Sequence, residues 1–140
     1  MEALRNRLSP FAPVLLRYGL GFVFLWFSFS QFQDPLRWTG FLPDFVKGLS
    51  IAPVHFVQLN ALVELIGGML LLLGAFTELT AFILALHMFG ISFSIGMTAV
   101  GVRDIGLSIA TLALSFFGAG RFAIDTLNSS APRTSETVVS

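Results

Sequence analysis

Apolar residues dominate four long segments of the chain, and the charged residues fall almost entirely between them. Pro13–Gln33 carries one charge, Arg17, and Val54–Phe76 carries one, Glu64; Leu79–Val102 and Ile105–Gly120 carry none. A bilayer core about 30 Å thick takes roughly 20 residues of helix, so each run is long enough to cross it. Strands fit poorly, because the runs are too long and lack the two-residue alternation of a barrel wall. The pattern predicts an all-α fold, an integral-membrane four-helix bundle. Its spans lie near residues 13–33, 54–76, 79–102 and 104–123, within a membrane domain over 1–127.

The connections differ in kind. Little more than Thr77–Glu78 separates the second and third spans, which predicts a tight antiparallel hairpin. The first two are separated by residues 34–53, punctuated by Pro35, Pro43 and Pro53. There Trp38, Phe41, Leu42, Phe45, Val46 and Leu49 recur at helical spacing among Arg37, Asp44 and Lys47. That pattern predicts a short amphipathic interfacial segment, with Trp38 and Phe41 at the headgroup level. The first span is longer and bulkier at its end than a cleavable leader, so it is expected to remain. Pro10 and Pro13 suit a helix start, where a missing N–H costs nothing. Residues 128–140 are polar and are expected to form a disordered tail.

Within each span the small and polar residues fall on one face. The runs are Arg17, Gly21, Phe24, Ser28, Gln31; Asn60, Glu64, Gly67, Leu71, Gly74; Thr80, Leu84, His87, Ile91, Ser94; and Asp104, Ser108, Thr111, Ser115, Gly118. Spacings of three and four share a helix face. Small or weakly polar groups there let helices approach and hydrogen-bond where lipid offers no partner. A heptad-like seam of this kind implies left-handed crossing.

Composition supports the membrane and removes several chemistries. Of 140 residues, 55% are hydrophobic and 11% charged, and 16 are Phe. A small soluble domain cannot bury that much apolar surface. Eight basic and eight acidic residues cancel, leaving no electrostatic footprint for nucleic acid. With no cysteine, the chain offers no disulfide, zinc–thiolate site or thiol redox step of its own. No metal site and no covalently bound cofactor are expected.

An even number of spans puts both termini on one side. Arg5, Arg7, Arg121 and Arg133 lie there, with Arg17 just inside the bilayer, against Arg37, Lys47 and Arg103 opposite. The positive-inside bias places both termini in the cytoplasm.

Ionisable residues inside a membrane are costly and point to function by default. Counted from the end bearing the termini, Arg17, His87, Glu64 and Asp104 lie about five, eight, twelve and sixteen residues deep. They form an intramembrane polar series, supported by Gln31, Asn60, Ser108 and Arg103. Glu64, near the midplane, is either ionised and paired or protonated. Arg17 lies about 10 Å from it in depth, so His87 is the expected partner. Arg17 is then expected to snorkel to the headgroups or to bridge through water. Arg103–Asp104 is expected to anchor the outer interface and cap the fourth span or, because Asp104 heads a polar stripe, to line the mouth of a cavity.

These residues also carry a resemblance. Leu16-Arg17-Tyr18-Gly19-Leu20-Gly21-Phe22-Val23-Phe24, Gln33-Asp34-Pro35 with Trp38 and Pro43, Glu64-Leu65-Ile66-Gly67-Gly68, Leu72-Leu73-Gly74-Ala75-Phe76-Thr77, Val102-Arg103-Asp104-Ile105-Gly106-Leu107 and Gly118-Ala119-Gly120-Arg121-Phe122-Ala123-Ile124-Asp125 together resemble the DoxX family over about residues 13–125. The resemblance implies a small four-helix protein of the bacterial inner membrane. It also implies association with oxidoreductases, as in the membrane subunit of a thiosulfate:quinone oxidoreductase, or with superoxide dismutase and a sulfurtransferase. The family's Arg and Glu carry over onto Arg17 and Glu64, and its closing pattern onto Gly118, Gly120 and Asp125.

Three functions remain in competition. The first is an accessory subunit of a quinone- or sulfur-linked oxidoreductase, binding a quinone or lipid in the seam. The second is a non-catalytic scaffold or chaperone-like helper that recruits membrane or peripheral protein partners. The third is a small transporter acting as a homo-oligomer.

Overall fold

A computed structural model of the chain describes residues 1–129. Helix α1 spans Glu2–Leu8 and passes through a 3-10 turn at Ser9–Phe11 into α2, Ala12–Gln33. Short helices α3 (Pro35–Trp38) and α4 (Asp44–Lys47) follow, and then the long helices α5 (Pro53–Leu73), α6 (Thr77–Ile95) and α7 (Ala99–Phe117). Helix α8, Ile124–Ser129, closes the described chain. The tail expected from residue 128 therefore opens on helix and otherwise falls outside the described residues.

Four helices, α2 with the segment preceding it, α5, α6 and α7, are long and apolar enough to cross a membrane. They form a four-helix membrane bundle. Its closest pairings are α2 with α5 and α6 with α7. The turn between α5 and α6 is as short as expected, yet those two helices touch far less than either close pair. Glycine explains the first pairing. A Cβ on Gly68 would lie 3.1 Å from Gly21 O and one on Gly21 3.2 Å from Gly68 O, so the backbones meet where neither helix has a side chain. Nearby, Ser28 Oγ donates to Ala61 O at 2.8 Å across the same interface.

Leu20, Phe24, Leu71, Ala81, Leu84, Met88 and Leu114 fill the middle of the bundle. Phe22, Trp26, Phe29, Ile66, Phe82, Phe93 and Phe116 point outward, onto surface that lipid covers. The predicted inward faces of the first, second and fourth spans are buried or partly buried throughout. The third departs from expectation. Its buried residues are Thr77, Thr80, Ala81, Leu84, Ala85, Met88 and Ser92, whereas His87 is only partly buried and Ser94 is exposed. Packing against α7 carries the inward face from Leu84 through Met88 to Ser92. The serine at 94 satisfies its hydroxyl on its own helix, donating to Gly90 O at 3.0 Å.

Several boundaries also differ from the expected ones: α5 ends at Leu73 instead of 76 and α7 at Phe117 instead of 123. Helix α6 stops at Ile95 because Gly96 adopts φ 71°, ψ −164°, a region open essentially to glycine alone. Helix α7 then begins at Ala99, capped by Thr98, whose Oγ1 accepts from Gly101 N at 3.1 Å. Arg103–Asp104 is therefore not the cap of the fourth span but rides on its second turn. Between α2 and α5 the expected amphipathic stretch is broken into pieces. Leu42 is extended (φ −73°, ψ 143°), as the residue before Pro43 tends to be, and no single helix runs from Trp38 to Leu49.

Candidate functional site

The bundle has a loop end, bearing Gln33, Pro53, Ile95 and Ala99, and a terminal end, bearing Ala12, Leu73, Thr77 and Phe117. Buried polar groups collect near both ends in separate clusters.

At the loop end, Glu64 is 4% exposed, and both its oxygens are engaged. Gln31 Nε2 donates to Glu64 Oε2 at 2.6 Å, and Asn60 Nδ2 donates to Oε1 at 3.0 Å and to Gln31 Oε1 at 2.8 Å. Asn60 and Glu64 stand one helical turn apart on α5, and Gln31 reaches them from α2, which closes a ring of three side chains. Neutral amides, not a cation, are the partners of this carboxyl.

Asp104, 3% exposed on α7, faces the same space. Its Oδ1 accepts from Arg103 Nε at 2.8 Å and lies 2.7 Å from Arg103 Nη2. The Arg103 side chain is 44% exposed, and its guanidinium stacks over the Phe27 ring at 4.7 Å. Trp38 meets Phe27 edge to face, with ring centres 5.7 Å apart, and Phe41 lies at the same distance on its other side. Trp38 and Phe41 form the roof of the cluster.

Together these groups line a cavity of about 80 Å³ between Gln31, Asn60, Glu64, Arg103 and Asp104 on the polar side and Phe24, Phe27, Val57, Met88 and Ile91 on the apolar side. Phe41, Leu42, Ile95 and Val100 also border a wider groove of about 530 Å³ that opens at the loop end. They form the partition between the two spaces. Trp38 Nε1, in the cavity wall, is buried and without a hydrogen-bond partner.

Arg17 belongs to the terminal end. It is fully buried and does not snorkel: Nη2 donates to Phe122 O at 2.8 Å. Its Nη1 occupies the space a Cβ at Gly74 would need, and the guanidinium lies 5.0 Å from the centre of the Tyr18 ring. Gly74 closes α5 in the left-handed conformation (φ 67°, ψ 40°), so the cation sits at the negative end of a helix dipole. Asp125 completes the clasp. Its N–H donates to Gly74 O at 3.0 Å, and its carboxylate accepts from Phe76 N and Thr77 N, both at 2.8 Å, capping α6 from 48 residues away. Burial pushes the Asp125 carboxyl up. The two N–H bonds and the Arg17 charge outweigh that and hold it below the usual carboxylate range.

The structure thus divides the sequence-predicted residues. Gln31, Trp38, Phe41, Asn60, Glu64, Arg103 and Asp104 come together; Arg17, His87 and Ser108 do not join them. The expected Glu64–His87 contact is absent: Gln31 and Asn60 bond the carboxyl, and His87 Nε2 is buried without a partner. Ser108 donates to Asp104 O at 2.7 Å, a bond within its own helix. Sequence reasoning missed Phe27, whose position three residues after Phe24 and four before Gln31 sets it beside the polar stripe. It also missed the clasp: the pattern sets Gly74 only on the inward face of the second span and Asp125 only in the closing motif, and gives Phe122 no role.

A bundle of four membrane-spanning helices with a polar pocket at one end and a polypeptide clasp at the other defines a small multi-pass membrane protein. The sequence model of the DoxX family matches residues 12–97, and the chain belongs to that family. The match takes in α2 through α6, with Gln31, Trp38, Phe41, Asn60, Glu64 and His87; Arg103, Asp104 and Ser108 lie beyond it. No curated protein and no solved structure matches the chain.

Proposed function

We propose that the protein is an accessory membrane subunit of a quinone- or sulfur-linked oxidoreductase system in the bacterial inner membrane, holding the carbonyl end of a quinone in the loop-end pocket. The observation that carries this is the pairing of apolar and polar walls in one cavity. Phe24, Phe27, Val57 and Met88 suit a ring, while the Trp38 Nε1 and Gln31 N–H groups and the protonated form of Glu64 can donate to the oxygen on it. About 80 Å³ accommodates the oxygen-bearing edge alone. The rest of the ring would cross the partition of Phe41, Leu42, Ile95 and Val100 into the outer groove. Electrons would come from a partner protein, since the chain carries no cysteine. Arg5, Arg7, Arg121 and Arg133, before and after the four spans, against Arg37, Lys47 and Arg103 between them, support cytoplasmic termini.

Quinone titration followed by tryptophan fluorescence tests this. Trp38 lines the pocket while Trp26 faces lipid, so Trp26→Phe leaves Trp38 as the reporter. The expected result is saturable quenching by ubiquinone or menaquinone analogues, weakened roughly 2- to 10-fold in Glu64→Gln, the range that loss of a neutral hydrogen bond produces. Absence of saturable quenching in both proteins rejects the reading.

A further inference from the structure

The loop-end pocket differs from the rest of the bundle interior in how its charge is balanced. Two carboxylates line it, and one cation, Arg103, is engaged with one of them, Asp104. Glu64 is bonded by neutral amides alone. The charged and titratable groups facing it are Asp104 and Arg103 from α7. Helix α2 presents Gln31, α5 presents Asn60, α6 presents Met88, Ile91 and Ile95, and the Pro35–Phe41 stretch presents Trp38 and Phe41. With both carboxylates ionised the site holds one net negative charge in apolar surroundings, a state a membrane interior strongly disfavours unless a positive charge joins it.

Access to that site is one-sided. On the loop side, Asp104 is joined to Arg103, whose side chain is 44% exposed. On the terminal side, Leu20, Leu71, Ala81, Leu84 and Leu114, each 0–4% exposed, fill the bundle between the pocket and the Arg17 clasp. The hydroxyls along α7 offer no relay through this plug, because Ser108 and Thr111 donate to Asp104 O and Leu107 O of their own helix.

We infer that the pocket is a proton-binding site at Glu64 that exchanges with the loop-end aqueous phase alone, through Asp104. One proton from that phase is taken onto the Asp104 carboxylate and passed to Glu64, and it leaves by the same route. The inference shares its site with the quinone reading and deepens it, since protons for reduction of a bound quinone would then be drawn from the loop side. It does not require a quinone in order to be measured.

The experiment uses the full chain in liposomes without quinone, its orientation established by protease cleavage of the residue 34–52 loop. Internal and external pH are stepped separately while infrared absorption follows the protonated-carboxyl carbonyl band. The expected result is a band, removed by Glu64→Gln, that follows pH on the loop side and ignores the terminal side. Asp104→Asn, which leaves Arg103 to balance an ionised Glu64, weakens the band at a given pH and slows its response roughly 100-fold, as loss of a positioned acid–base group does. A response to terminal-side pH overturns the inference. So does the absence of a Glu64-dependent band, or an Asp104→Asn protein that responds as fast as the parent. Because Asp104→Asn leaves Glu64 in place, the test stands even where Glu64→Gln does not fold. A working proton site that fails to bind quinone would leave this inference intact and reject only the quinone reading.

Discussion

At the terminal end, Arg17 and Asp125 are bound to backbone: Phe122 O for the arginine, Phe76 N and Thr77 N for the aspartate. At the loop end, Glu64 and Asp104 are bound to other side chains: Gln31, Asn60 and Arg103. Both ends bury charge, but they constrain it differently. Peptide groups held by helix ends cannot rotate away, so the terminal bonds tie α2, the α5–α6 turn and the chain after α7 into one unit. Amide and guanidinium side chains can change rotamer and partner at modest cost, and they border a cavity instead of a packed turn. The terminal end is built to stay closed, and the loop end is built to exchange partners.

The most damaging way to break this comparison is at the clasp. Arg17→Ala removes the fully buried guanidinium that donates to Phe122 O and whose Nε and Nη1 have no hydrogen-bond partner. It is expected to destabilise the protein by about 1.5–3 kcal/mol, the scale of a hydrogen bond from a charged group. Gly74→Ala should act in the same direction. Its left-handed φ alone costs a non-glycine residue about 1–3 kcal/mol, and the new Cβ would collide with Arg17. Thermal unfolding in detergent measures both. A terminal end that tolerated either change with an unaltered midpoint would not be a clasp.

Asp125 gives the next effect, through pH. Its folded carboxyl lies below the usual range, so its stabilisation is fully present above the unfolded Asp value near 4 and is lost as pH falls through the folded value. Acidification should therefore lower the unfolding midpoint of the parent protein over that window. Asp125→Asn should start lower at neutral pH and lose that part of the acid dependence. Equal acid sensitivity in both proteins would place the titrating group elsewhere.

Much of this arrangement was legible in the chain because membrane helices report their faces strongly. Arg17, Gly21, Phe24, Ser28 and Gln31 are spaced three and four apart, and all five are buried. Depth alone could not supply the partners. Glu64 and His87 lie at similar depth, but the inward face of α6 passes through Met88, so the histidine turns aside. Gln31, two residues from the end of α2, reaches Glu64 because a long amide spans most of a helical turn. The clasp was opaque for another reason. Its bonds join residues 48 to 105 apart through backbone groups, which have no sequence signature.

The smallest effects sharpen where the pocket stops. His87 and Ser108 belong to the polar pattern of the sequence but not to the cavity wall. His87→Leu removes a buried Nε2 that has no partner, so stability should be unchanged or rise by up to about 1 kcal/mol. Ser108→Ala removes a hydroxyl that serves only its own helix and should shift stability by about 0.5 kcal/mol or less. In both variants the Trp38 quenching curve should overlay that of the parent, because neither side chain contributes a surface that a ligand could touch. If His87→Leu instead weakened quenching as much as Glu64→Gln, the ligand would have to reach the far flank of α6, past Met88 and Ile91. The loop end would then open by separating α6 from α5, a pair packed far more sparsely than α6 with α7, and partner exchange there would involve helices as well as side chains.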